Sequence, residues 1–145
     1  MEIYSIGFTQ KSAGEFFGAL KTHQIQRLLD VRLNNTSQLA AFAKQADLSY
    51  FLREICGAAY EHEPLLAPTQ EMLDSYKKKK GSWDTYTEEY LSLIQSRKIE
   101  SVLSKESFLQ KTVLLCSEPT AENCHRRLAL EYLRKEWGGV RIVHL

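Results

Sequence analysis

Apolar positions along the chain fall alternately into short runs and helical stripes. Ile3–Ile6 is a brief apolar run closed by Gly7, the pattern of a strand. Ser12 and Glu15 then have the spacing of a capping box, in which the serine hydroxyl accepts from the backbone N–H three residues on. Ala13, Phe16, Phe17 and Leu20 follow at helical spacing and predict a helix over 13–23. Leu28-Leu29-Asp30-Val31-Arg32 is a second strand entering a polar loop. Strand, helix and strand within about 30 residues make a βαβ unit, whose strands are parallel.

Asn34 to Gln38 is turn-rich. Leu48, Phe51, Leu52 and Ile55 mark a helix that Gly57 ends by turning left-handed. Ala58–His62 reads as a third strand, and Pro64 and Pro68 break the chain beyond it. Thr69 caps a helix carrying Met72, Leu73 and Tyr76. Another helix begins near Ser82, with Trp83, Tyr86, Tyr90 and Ile94 on one side. A shorter helical piece lies near 99–107.

Thr112–Cys116 is an unbroken apolar run, as in a strand covered on both faces. Ser117–Asn123 turns the chain, with Thr120 the expected N-cap of a helix reaching Trp137. Gly138 and Gly139 end that helix, and Val140–Leu145 returns as a last strand. The second strand–helix–strand unit repeats the first. The fold expected is a single-domain α/β sandwich over residues 1–145, with a mainly parallel sheet of four to five strands flanked by helices.

Composition narrows the function classes. Hydrophobic residues are 43% and charged residues 26%, a globular balance that excludes a wholly disordered chain. No apolar run approaches the roughly 20 residues that span a bilayer, so no membrane partner is expected. The opening MEIYSIGFTQ lacks the basic-then-apolar pattern of a signal peptide. Net charge is +1, against a globally basic nucleic-acid binder, though a local basic face such as Lys77–Lys80 keeps nucleic acid as a second partner class. Three cysteines without an export signal suggest free thiols in the cytoplasm.

Ligands of open parallel sheets bind beyond the carboxyl ends of the strands. Gly7, Phe8 and Thr9 follow the first strand, and Asp30 and Arg32 end the second. Tyr60, Glu61 and His62 end the third. Cys116, Ser117 and Glu118 close the fourth, with Cys124, His125, Arg126 and Arg127 at a helix start. Cys116 is a nucleophile if a nearby arginine or helix N-terminus lowers its pKa, and otherwise a small core residue. His125 is the general acid or base that titrates nearest neutrality, or else a loop cap. Arg32, Arg126 and Thr9 are the expected anion-binding groups, and Asp30 and Glu118 the carboxylates that move protons. Asp30 and Arg32 share a strand face, which also fits Asp30 orienting the arginine. Cys116, Glu118, Cys124 and His125 have ligand types for zinc or iron. Their spacing matches no common zinc box, and on a helix Cys124 and His125 would point apart, so no metal is assigned. Trp83, Tyr86 and Tyr90 are expected in the core.

Two familiar frames fail. A Cys-dependent phosphatase or rhodanese loop closes on an arginine five or six residues after its cysteine, whereas Arg126 stands further from Cys116 and the loop contains Pro119. No phosphate-cradling Walker loop is present, and the sequence names no cofactor. The segments IYSIGFT, LLDVR, VLLCSEPTAENCHRRLALEYL and VRIVHL resemble the DUF488 family, a domain of unknown function, from Ile3 to Leu145. YEHEPLLAPT, Tyr60–Thr69, resembles one branch of it. The resemblance implies a small cytosolic α/β domain and no particular reaction. Family members often carry histidine and serine where this chain has Phe8 and Thr9. A site imidazole would then come from His125 or His62.

The leading expectation is an enzyme acting on a small anionic or nucleotide-like substrate. A non-catalytic module gripping nucleic acid or protein through Arg32, the Asn34–Asn35 loop and Lys77–Lys80 is the alternative. A metal-binding protein is the third.

Overall fold

A computed structural model describes residues 1–36 and 41–145. Five strands, β1 (Glu2–Gly7), β2 (Arg27–Asp30), β3 (Ala59–His62), β4 (Thr112–Cys116) and β5 (Arg141–His144), form one sheet ordered β3-β2-β4-β1-β5. Every pairing is parallel, with Gly7 beside Cys116 and Asp30 beside Leu115 at the carboxyl edge. The expected α/β sandwich is present with its sheet entirely parallel.

Helices cover both faces because the central strands are apolar on both. α1 (Ala13–Thr22) and α2 (Gln45–Phe51) pack Phe16, Phe17, Leu20 and Leu48 against Tyr4, Ile6, Leu28, Val113 and Leu115. α2 runs on into a π-helical turn, Leu52–Cys56, ended by Gly57 at φ +62°. The opposite face, built from Ile3, Leu29 and Leu114, takes α3 (Gln70–Leu73), α4 (Trp83–Ser96), α5 (Ile99–Val102) and α6 (His125–Trp137). Its side chains include Met72, Tyr86, Tyr90, Ile94, Ile99 and Leu130. The Ser12–Glu15 capping box and the caps at Thr69 and Ser82 form as the sequence predicts.

Three differences from expectation bear on the site. β2 stops at Asp30, two residues early. Val31 N–H still reaches Leu115 O at 3.1 Å, but Arg32 N–H turns to the Asp30 carboxylate at 3.1 Å, which ends the ladder. Thr120 caps nothing. Ser117 O accepts from Thr9 N–H and Glu118 O from the Arg126 guanidinium, so this segment is pinned against the strand edge and α6 begins only at His125. The helix carrying Tyr76 is α in its first turn and π over Asp74–Lys78. The predicted Asn34–Gln38 turn lies partly outside the described residues, at Ser37 and Gln38.

The connection leaving β2 runs to the edge strand β3, while the one leaving β4 runs to the opposite edge strand β5. β2 and β4 are neighbours, so their carboxyl ends flank a topological switch point, where doubly wound sheets open a crevice.

Candidate functional site at the switch point

The end of β2 is a closed knot. Asp30 is fully buried, and its Oδ1 accepts from Arg32 N–H at 3.1 Å and Arg32 Nε at 2.9 Å. Its Oδ2 accepts from Arg32 Nη2 at 2.8 Å and the Tyr60 hydroxyl at 2.6 Å. Burial, and then the hydrogen bond to Asp30, push the Tyr60 hydroxyl pKa well up, so it stays a donor. Arg32 Nη2 also donates to Ala43 O at 2.7 Å, and the guanidinium lies 5.3 Å from the Phe8 ring centre. Phe8 thus packs on this ion pair. A buried carboxylate with both oxygens matched by donors is architecture first. Asp30 does not reach the cavity below and orients Arg32, which does.

The end of β4 is arranged differently. Cys116 closes the strand, the chain loops through 117–123, and Cys124 returns beside it as the N-cap of α6. Gly7 permits this return, because any Cβ there would overlap the Glu118 carbonyl. Cys124 has extended backbone angles, φ −136° and ψ 138°. That turns its side chain the same way as His125 rather than apart, contrary to the helical reading. One ligating atom from each of Cys116, Cys124 and His125 lies within 4.8 Å of the others, and all three residues are buried.

His125 is held by its backbone neighbour across the crevice. Its Nε2 lies 2.8 Å from Val31 O, and a carbonyl only accepts, so Nε2 carries the proton and Nδ1 is left with a lone pair. Tyr90 flanks the ring at 5.4 Å between centroids. The Cys116 sulfur lies against the ring, 3.6 Å from Nδ1 and 3.9 Å from Nε2. Donation from the Cys124 thiol holds the Cys116 thiol below its ordinary pKa against the opposing effect of burial, helped by the Arg126 charge and the N–H groups of Ser117 and Glu118. Cys124 is pushed well above its ordinary value by burial and by that same hydrogen bond.

Both ends meet in a cavity of about 320 Å³. Arg32, Asn34, Cys116, Ser117, Glu118, Cys124 and His125 line it from the sheet edge. Tyr76, Trp83 and Tyr86 line it from the helical side, with Trp83 and Tyr86 stacked at 5.3 Å and 17°. Lys77 and Lys78 come from the π-helical turn, a distortion often found at functional sites. Lys77 Nζ bonds the half-exposed Glu118 carboxylate at 2.6 Å. Burial pulls the Lys77 pKa down, but the Glu118 hydrogen bond and charge outweigh it and the net direction is up.

Of the sequence-predicted residues, Arg32, Cys116, Glu118 and His125 share this cavity, while Asp30, Thr9 and Arg126 do not line it. Thr9 uses its backbone to hold Ser117 at 3.2 Å. Arg126 is fully buried behind the site. Its Nε donates to Ser5 Oγ at 3.2 Å and its Nη1 to Glu118 O at 2.9 Å, while Nη2 has no partner among the described residues. The expected anion clamp is therefore an internal brace for the loop and a source of positive potential at Cys116.

The sequence profile described as "Domain of unknown function DUF488" matches residues 12–133. The chain belongs to the DUF488 family. No curated protein and no solved structure matches it. In this DUF488 chain, two of the stretches that carry the family likeness, LLDVR and the segment from Cys116 to His125, border the two sides of the cavity. The sequence predicts Trp83 and Tyr86 in the core and Tyr76 only as part of the helix capped by Thr69. Their helical stripe was visible, but an apolar stripe does not say which of its rings border a void. Tyr90 is a core residue as expected, fully buried with its hydroxyl on Leu66 O at 2.7 Å.

Proposed function

We propose that this DUF488 protein is a cytoplasmic enzyme that takes a small planar anion, nucleotide-like in chemistry, into the switch-point cavity. One observation carries the reading: an aromatic wall, three cations and a thiol–imidazole pair border one cavity of about 320 Å³. That volume is at the small end of ligand pockets, which suits one nucleotide and no longer polymer. Trp83 and Tyr86 offer stacking surface to a planar ring. Arg32, fixed in place by Asp30, and Lys77 meet the anionic group. Lys77 can exchange partners at little cost, because a half-exposed pair with Glu118 is worth only about 0–1 kcal/mol. Cys116 and His125 are the groups where bonds change. The free thiols fit a reducing compartment, and no described helix is long and apolar enough to cross a membrane.

Calorimetric titration of the purified protein with nucleoside monophosphates, nucleosides and inorganic phosphate tests the binding half. Trp83→Ala should weaken nucleotide binding roughly 5- to 150-fold, the range for loss of one stacked base, and leave phosphate binding unchanged. Equal nucleotide affinity in wild type and Trp83→Ala would remove the proposal. Mass analysis of the bound nucleotides tests the chemical half. Wild type should convert one, and Cys116→Ala should bind it unchanged. Binding without any conversion would make the protein a recognition module. A steep loss of oligonucleotide affinity with salt would identify phosphate backbone as the ligand.

A further inference from the structure

The loop from β4 into α6 spends eight residues to bring Cys124 back beside Cys116, and it sets His125 next to both. We propose that Cys116, Cys124 and His125 bind a zinc ion whose fourth coordination position faces the cavity. This deepens the enzyme reading and rests on it only for what the ion does there: with the ion bound, Cys116 and His125 serve as its ligands and bonds change at its open position instead of on their side chains. Ion binding stands or falls by itself.

The ligand set is two sulfurs and one imidazole, a combination that zinc takes in catalytic sites with a fourth position left for water or substrate. Among the described residues no fourth cysteine, histidine or carboxylate joins the cluster, so a closed structural site is not what these residues build. Charge balances as well. Two thiolates cancel the charge of Zn²⁺, and a neutral complex is one that a buried site can hold without a large desolvation cost.

The sulfur–nitrogen distance agrees with the assignment. Zinc–sulfur bonds of about 2.3 Å and zinc–nitrogen bonds of about 2.0 Å at tetrahedral angles put sulfur and nitrogen about 3.5 Å apart. Cys116 Sγ and His125 Nδ1 are 3.6 Å apart. The Nε2–H donation to Val31 O is the outer-shell contact that fixes the tautomer of a metal-bound histidine and leaves Nδ1 as the ligand. Sγ is nearly as close to Nε2, at 3.9 Å, so it lies over the ring and not on the Nδ1 lone-pair axis. Coordination therefore requires the ring to turn about its Cβ–Cγ bond. Nε2 lies nearer that axis than Nδ1, so the turn re-aims the Nδ1 lone pair while shifting the Val31 hydrogen bond less.

The decisive experiment is cobalt substitution of the full chain. Reduced protein, stripped with a chelator, is titrated with Co²⁺ and then with Zn²⁺. One equivalent of Co²⁺ should produce thiolate-to-cobalt charge-transfer absorption and the visible bands of a tetrahedral ion, and one equivalent of Zn²⁺ should abolish both. Zinc should also slow alkylation of Cys116 and Cys124 at least tenfold and leave Cys56 unchanged. Cys124→Ala and His125→Gln, checked for folding by circular dichroism, should each lose at least tenfold in zinc affinity. Absence of the cobalt bands in wild type, or zinc protection that does not distinguish Cys56, overturns the assignment whether or not the variants fold. Nucleotide titration of the same stripped protein separates the two readings. Nucleotide binding without cobalt bands defeats the metal site alone, and cobalt bands without nucleotide binding defeat the substrate class alone.

Discussion

The ends of β2 and β4 lie side by side at one sheet edge, and both bury polar side chains, yet they are finished in opposite ways. At β2 the Asp30 carboxylate accepts four hydrogen bonds, three from Arg32 and one from Tyr60. Nothing there is left to offer a ligand except the part of Arg32 that faces the cavity. At β4 two sulfurs and an imidazole lie together with fewer protein partners, and they border open volume. Burial of a polar group demands partners. Where the chain itself supplies them all, the group is part of the scaffold. Where it leaves capacity unused beside a cavity, a ligand can complete the set.

The largest expected effect breaks the closed end. Asp30→Ala leaves the Arg32 guanidinium buried and unpaired, which should cost about 3–5 kcal/mol in urea unfolding. Cys116→Ala removes one buried atom from the other end and should cost about 1 kcal/mol, as for a single methylene-sized deletion. Equal losses would erase the distinction between scaffold and site.

A smaller effect sharpens the open end. In chelator-treated protein at neutral pH, iodoacetamide should modify Cys116 faster than Cys56. Cys116 has its thiol pKa lowered by the Cys124 hydrogen bond, whereas burial raises that of Cys56. Peptide mapping of the labelled sites gives the order. A Cys116 that labels only in denaturant would show a packed, inert thiol.

The smallest effect concerns the brace behind β4. Burial, and then the Arg126 charge, hold the His144 pKa below its ordinary value, while its Nδ1 pairs with Ser5 Oγ. The unfolded chain therefore binds the proton first as pH falls. Folding stability contributed by neutral His144 is complete above about pH 6.5 and declines on acidification through the folded pKa. His144→Gln should flatten the fall in melting temperature between pH 7 and pH 5. An unchanged slope would show that the His144 pKa is not lowered in the folded protein.

Periodicity alone settled the layered architecture of this chain. Thr112–Cys116 and Ile3–Ile6 are apolar at every or nearly every position, so helices had to cover both faces. The strand–helix–strand rhythm then placed Arg32, Cys116, Glu118 and His125 at one edge. Local rules also set the Ser12 cap and the Gly57 stop, because each depends on bonds between residues close in sequence. The site itself needed the third dimension. Cys124 and His125 converge only because Arg126 and Thr9 pin Ser117–Glu118 over Gly7, which delays the helix by one loop. Arg126 was legible as a cation at a helix start that calls for an anion, but its burial against Ser5 and a backbone carbonyl depended on strands far away in sequence. Tyr76, Trp83 and Tyr86 carried the same helical signal as core residues. Which rings border empty space is decided by what packs against them, and that is a property of the assembled sheet and helices rather than of any segment.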